Sequence, residues 1–266
     1  MNKLGLFIII AGFLLSASCN QPKTGTVKLN NAVDSISYAL GYSYANAIKE
    51  NILHPSRTPF DSVDYKLIAL ALSKYGLSKE AKEMWTTQFK EINEKVLIMS
   101  FNNELCFGNS LFKDMNINIY LNSEYERIRD EIATENLVKG MNFLQENGKR
   151  PEVITLESGL QYEVLVEGTG EIPTDEDIVK VHYHGTLIDG KVFDSSVERG
   201  EPATFRTTGV IRGWIEALQM MPVGSTWILY IPADMAYGQR GSGREIGPNE
   251  VLIFEVQLLE IEDIER

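Results

Sequence analysis

The sequence predicts an α+β protein: an all-α region over residues 34–150, then an antiparallel sheet wrapped around one short helix over 151–266. Three observations carry this. From Asp34 to Gly148 apolar residues recur every three or four positions; after Pro151 the period drops to two. Between the alternating runs only Ile211 to Met220 fits a helix, stopped by Pro222 and Gly224. Side chains three or four apart share a helix face and alternate ones share a strand face, so the change of period marks a change of structure.

Residues 1–18 stand apart from this fold. A basic start at Lys3 precedes an apolar run from Leu4 to Leu15, then small residues lead to Cys19. That is the layout of a secretory signal, and the run is short for a membrane span. Leu15-Ser-Ala-Ser-Cys19 resembles a bacterial lipoprotein processing site, although its leucine lies four places before the cysteine instead of three. The alternative is an ordinary cleaved signal with an incidental cysteine. The lipoprotein reading makes Cys19 the lipidated first residue and residues 19–33 a polar tether. An N-terminus carrying several acyl chains anchors stably where one chain does not. Only Cys106 then remains, between Leu105 and Phe107, which suits a buried small hydrophobe.

The first helix is expected over Ser35 to Lys49, with Ile36, Leu40, Tyr44 and Ile48 in one stripe. A second is expected from near Asp61 to Gly76. A third follows Ser78, with Trp85, Phe89, Ile92, Val96 and Met99 on its face. The last opens at the capping-box pattern Ser123-Glu-Tyr-Glu126 and stops at Gly148, with Lys149 and Arg150 beside its negative end. In the second region Leu160 to Val166, Val179 to His184, Trp227 to Ile231 and Val251 to Ile261 read as strands.

Asp and Glu outnumber Lys and Arg by 37 to 25, giving a net charge of −12. Phosphate backbones are bound mainly by Lys and Arg, so nucleic-acid binding is excluded as a leading function. There is no Gly-x-Ser-x-Gly elbow, and no Gly-Lys-Ser/Thr closes a phosphate loop. His182 and His184 share a strand face, but a third metal ligand is not evident, and no metal or cofactor is expected. What the second region concentrates is aromatic residues near loop boundaries: Tyr183, Phe193, Trp214, Tyr237 and Phe254.

Val181-His-Tyr-His-Gly-Thr-Leu187, Asp189-Gly-Lys-Val-Phe-Asp-Ser-Ser196, Val210-Ile-Arg-Gly-Trp214, Met220-Met-Pro-Val-Gly224 and Ala236-Tyr-Gly238 follow one another in order, completed by Pro248 to Leu258. This series, from about Ser158 to Glu262, resembles the FKBP-type peptidyl-prolyl cis-trans isomerases. Ser158-Gly-Leu-Gln-Tyr162 and the helical region before it resemble the exported macrophage-infectivity-potentiator type, which dimerises through N-terminal helices. The resemblance implies a proline pocket lined by Tyr183, Phe193, Val210, Ile211, Trp214, Tyr237, Ile246 and Phe254. Trp214 would be its floor, the Tyr237 hydroxyl a donor to a substrate carbonyl, and Asp194 a group at the pocket edge paired with Arg199. It implies a lipid-anchored homodimer in the cell envelope, at the outer membrane facing the periplasm, acting on proline-containing unfolded or exported polypeptides. The alternative is a client-holding chaperone with little turnover. The sequence departs from the family pattern at Ala203, where a pocket-side Phe is usual, in a shorter segment between Phe205 and Val210, and in the polar loop Ser242-Gly-Arg-Glu245.

Overall fold

The computed structural model describes residues 24–51, 65–108, 110–112 and 115–262. The expected signal sequence and Cys19 lie outside these residues, as does the expected start of the second helix at Asp61. Among the described residues no helix is long and apolar enough to cross a membrane. The chain divides into two compact units, residues 1–124 and 125–266.

The first unit is helical: α1 (Ala32–Asn51), α2 (Tyr65–Tyr75), α3 (Lys79–Phe89), α4 (Glu94–Phe107) and the beginning of α5 (Ile117–Asn147). Helices α1 and α4 pack backbone to backbone, because a Cβ on Gly41 would lie 2.2 Å from the Leu97 carbonyl oxygen. The Ser100 hydroxyl donates to the Tyr38 carbonyl (2.7 Å), and Lys49 pairs with Glu104 at 2.6 Å. Cys106 is partly buried against the Phe101 and Leu105 cluster.

Two helix boundaries differ from expectation. The stripe from Trp85 to Met99 belongs to two helices, not one. Lys90 takes φ 60°, which ends α3, and the Asn93 side chain then caps α4 by accepting from the Val96 amide (3.2 Å). Helix α5 starts six residues before Ser123. Asn116 caps it by accepting from the Ile119 amide (3.2 Å), while Ser123 sits inside the helix and donates to the Tyr120 carbonyl.

The second unit is an antiparallel sheet: β1 (Val153–Thr155), β2 (Gln161–Val166), β3 (Ile178–Leu187), β4 (Val192–Ser195), β5 (Ala203–Arg206), β6 (Thr226–Ile231) and β7 (Leu252–Glu262). The strand order is β1-β2-β6-β7-β3-β4, with β5 also pairing β3. Strand β3 alternates strictly, with Val179, Val181, Tyr183, Gly185 and Leu187 turned inward. Opposite it, Leu252, Phe254, Val256 and Leu258 of β7 line the same face. The main helix against this face is α7 (Arg212–Leu218). A second, one-turn helix, α6 (Ser196–Arg199), follows β4, so the expectation of a single helix omits one turn.

Beyond Tyr125, α5 belongs to this second unit. Its end is fastened to the sheet by a buried bond from Asn147 to Gln161 (2.9 Å), and Gln161 in turn donates to the Leu144 carbonyl. Packing therefore groups residues 125–150 with the sheet, although the period changes only at Pro151.

Candidate functional site

The inward face of β3 and β7 gathers a set of rings against α7. Trp214 stands edge-to-face with Tyr183 (centroids 5.5 Å, 86°), with Phe254 (5.2 Å, 83°) and with Phe205 (5.9 Å, 81°). Phe193 meets Phe254 in the same manner at 5.3 Å. Ring quadrupoles favour this arrangement by about 0.5–1.5 kcal/mol per pair beyond burial. Among the described residues the buried Trp214 indole N–H has no hydrogen-bond acceptor, and it is packing that holds this side chain.

Two glycines let the rings approach. A Cβ on Gly213 would lie 2.5 Å from Ile231 Cγ2, so only glycine brings the start of α7 this close to β6. A Cβ on Gly185 would lie 2.8 Å from both the Phe193 and the Phe254 rings. Adding an atom at either place forces a side chain or the backbone to move.

At the edge of the ring cluster lies a three-membered polar group. The Tyr183 hydroxyl donates to Asp194 Oδ2 at 2.5 Å, and Arg199 pairs with Asp194 Oδ1. Arg199 also donates to the Tyr183 hydroxyl oxygen (2.8 Å), and its guanidinium carbon lies 5.5 Å from the centre of the Tyr183 ring. The local sequence places Arg199: Ser195 caps α6 by accepting from the Glu198 amide, and Gly200 closes it at φ 77°. The Ser196 hydroxyl accepts from the Tyr183 amide (2.7 Å) and anchors the turn on β3.

These contacts set the charge states. Burial of Asp194 works against its ionisation, but hydrogen bonds from Tyr183 and Arg199 outweigh it and hold the carboxyl below its ordinary value. Burial raises the Tyr183 phenol, reinforced by the bond to Asp194 and opposed by Arg199. The Arg199 guanidinium is pushed further up by Tyr183 and Asp194. The edge of the cluster therefore carries a fixed carboxylate–guanidinium pair and a neutral phenol.

Of the residues anticipated for the pocket, Tyr183, Trp214, Phe254 and Ile246 are buried in one cluster, with Phe193, Val210 and Ile211 partly buried against it. Tyr237 lies outside that cluster and is 40% exposed, although its neighbour Ala236 packs on it. Sequence reasoning missed Phe205, which touches Trp214 and Tyr183. It shares the inward face of β5 with Ala203, an alternation of only four residues and too short to read as a period. His182 and His184 are hydrogen-bonded through Nδ1 to the Ser196 and Ser195 hydroxyls at 3.1 and 3.0 Å.

A sheet curled around a helix with an aromatic cluster between them is the FKBP class of fold. Comparison with known proteins agrees. The family model described as FKBP-type peptidyl-prolyl cis-trans isomerase matches residues 169–259, and that of the domain amino-terminal to such isomerases matches residues 33–164. The chain is 34% identical to the peptidyl-prolyl cis-trans isomerase Mip of Coxiella burnetii over 261 residues, covering 98% of this chain and 99% of that one. It is 58% identical to the FKBP-type 22 kDa peptidyl-prolyl cis-trans isomerase of Escherichia coli over 123 residues, 46% of this chain and 60% of the relative. The crystal structure of FkpA from Escherichia coli superposes with a TM-score of 0.61 at 32% identity, covering 76% of this chain and 98% of that one. The chain belongs to the FKBP-type peptidyl-prolyl cis-trans isomerase family. Against several curated relatives it spans only 49–60% of their length.

Proposed function

We propose that the protein is a peptidyl-prolyl cis-trans isomerase whose site is the ring cluster around Trp214. The observation that carries this reading is the edge-to-face set of Trp214, Tyr183 and Phe254, with the Tyr183–Asp194–Arg199 group at its rim. A peptide bond resists rotation because resonance gives its C–N bond double-bond character, with a barrier of roughly 18–20 kcal/mol. At proline both isomers are populated, and exchange takes tens to hundreds of seconds. In the twisted transition state the resonance is lost and the carbonyl is less polarised. Apolar surroundings therefore disfavour the planar amide relative to the twisted one, which lowers the barrier.

In this reading Trp214 supports the proline ring, with Phe254, Tyr183, Phe193 and Ile246 as walls and Val210 and Ile211 at the mouth. Asp194, kept ionised by Arg199 and Tyr183, fixes the electrostatics beside the rotating carbonyl. Tyr237, an exposed residue, donates its hydroxyl to a substrate carbonyl. The test is the cis-to-trans rate of a short Xaa-Pro peptide with the purified protein and with Trp214→Phe and Asp194→Ala. Acceleration that both variants weaken supports the enzyme and the site together. A folded protein that gives no acceleration but suppresses aggregation of unfolded polypeptide supports a client-holding role instead.

The same reading makes the protein a lipid-anchored helper of exported polypeptides in the cell envelope, at the outer membrane facing the periplasm. It is supported by the apolar leader before Cys19 and by the relatives named Mip and "Outer membrane protein MIP". Cys19→Ser releasing the protein from the membrane fraction is the expected result. A homodimer built through the helical unit would bring two sites to one client chain and raise avidity. Light scattering that reports a monomer for the intact protein would end that part of the reading.

A further inference from the structure

The loop from Gly238 to Val251 joins the end of the Tyr237 segment to β7 and carries Ile246 into the ring cluster. Four glycines, at 238, 241, 243 and 247, give it a large conformational freedom to lose on ordering. Among the described residues its internal ties are the Asn249 amide donating to the Gly238 carbonyl (2.8 Å), the Gly241 amide donating to the same carbonyl (3.3 Å) and the pairing of Ser242 with Ile246. On the side of the β3–β4 turn, Lys191 pairs with Glu245 at 2.6 Å, but both side chains are about half exposed, so the pair contributes little.

Further ties come from α5. Asn249 Nδ2 donates to the Ala133 carbonyl (3.1 Å), and Asn136 Nδ2 donates to the Pro248 carbonyl (2.9 Å). Arg129 donates to the Gln239 carbonyl (3.1 Å) and reaches the Arg240 carbonyl at 3.4 Å. Gly140 lies so near Val251 that a Cβ there would fall 2.7 Å from Val251 Cγ2. Positions 129, 133, 136 and 140 are spaced four, three and four, which puts them on one helix face. The Ala133 carbonyl already serves the ladder of α5, so the helix itself has no need of the bond from Asn249. Asn249 holds φ 55°, a conformation asparagine tolerates better than most residues, and it aims its side chain at the helix.

We propose that α5 is a positioning element of the isomerase site: its Arg129–Gly140 face holds the Gly238–Val251 loop so that Ile246 stays seated in the pocket when substrate binds. This rests on the isomerase reading above. Loosening the clasp makes each binding event order the loop, so the loss appears in KM and not in the rotation step. Asn136, Asn249 and Arg129 are positioning residues and touch no substrate.

The test uses the full chain and peptides differing in the residue before proline, with KM and kcat measured separately. Asn249→Gly keeps the positive φ and removes the side-chain bond, adding some backbone freedom; Asn136→Ala removes the second bond without that addition. Gly140→Ala perturbs the same contact by crowding while favouring the helix. Val138→Ala, on the exposed face, is the control. Each of the three is expected to raise KM about three- to tenfold, up to about 1.4 kcal/mol of binding, with kcat unchanged. Amide exchange in residues 238–247 should quicken while β3 and β7 stay protected. Unchanged KM in all three, or a loss of kcat that follows overall unfolding, overturns the proposal. Absence of acceleration by the unaltered protein would instead remove the isomerase reading itself.

Discussion

The Tyr183 hydroxyl donates a 2.5 Å hydrogen bond to the carboxylate of Asp194, eleven residues on and across the β3–β4 turn. It joins a ring of the apolar cluster to a charge at its edge. Arg199 closes the group by bonding to both partners, so none of the three is independent.

Removing one member should therefore expose the others. Tyr183→Phe keeps the ring and leaves Asp194 to Arg199. A loss of about 1 kcal/mol, or about fivefold in kcat/KM, is expected after allowing for partial exposure. Asp194→Ala strands both Arg199 and Tyr183 and should cost more. The double variant should cost less than the sum of the two, which kcat/KM on one Xaa-Pro peptide will show.

The pH profile follows from the directions of the shifts. Asp194 is held below its ordinary 3.8, so its contribution is present above that value and is lost only as pH falls through the lower, folded one. Tyr183 is raised above 10.0, so its neutral phenol persists until pH climbs through the raised value. Neither group titrates between about pH 5 and 9, and kcat/KM should show no inflection from them there. An inflection that disappears in Asp194→Asn would contradict this assignment.

Trp214 is held by packing, so its removal tests packing. Trp214→Ala should cost about 3–5 kcal/mol, comparable with the whole stability of many domains. Trp214→Phe retains a ring and should fold. It is expected to lower kcat/KM roughly tenfold, about 1.4 kcal/mol, mainly through KM. Thermal melting alongside the peptide assay separates the two effects.

Gly185 offers a way to disturb the rings without touching one. Gly185→Ala puts a methyl group 2.8 Å from the Phe193 and Phe254 rings and should cost about 1–3 kcal/mol while weakening peptide binding. Gly209→Ala meets only Arg206 Cβ at 3.6 Å and should leave both within about 0.5 kcal/mol. Equal behaviour of the two variants would rule out close packing as the reason for glycine at 185.

The sheet was legible because one side of it faces a core: β3 and β7 alternate so regularly that their inward residues could be read directly. Strand β5 has only two residues on each face, too few to establish a period, and Phe205 was overlooked. The break between α3 and α4 was hidden because the stripe from Trp85 to Met99 keeps helical spacing through Lys90. The start of α5 was misplaced because Ser123 and Glu126 imitate a cap, while Asn116 provides one earlier. The clasp between α5 and the loop was invisible, since its partners lie 110 to 116 residues apart and their residue types carry no local signal.

Edge-to-face packing around Trp214 has an evolutionary corollary. Every ring there is seated against the edge or face of another, so one exchange of size or tilt leaves its neighbours ill-fitting. In the proposed site, new substrate preferences should therefore arise first at Val210 and Ile211, which are only partly buried against the cluster and can drift singly. The interior would change only by paired replacements, making the floor of the site its most historically inert part.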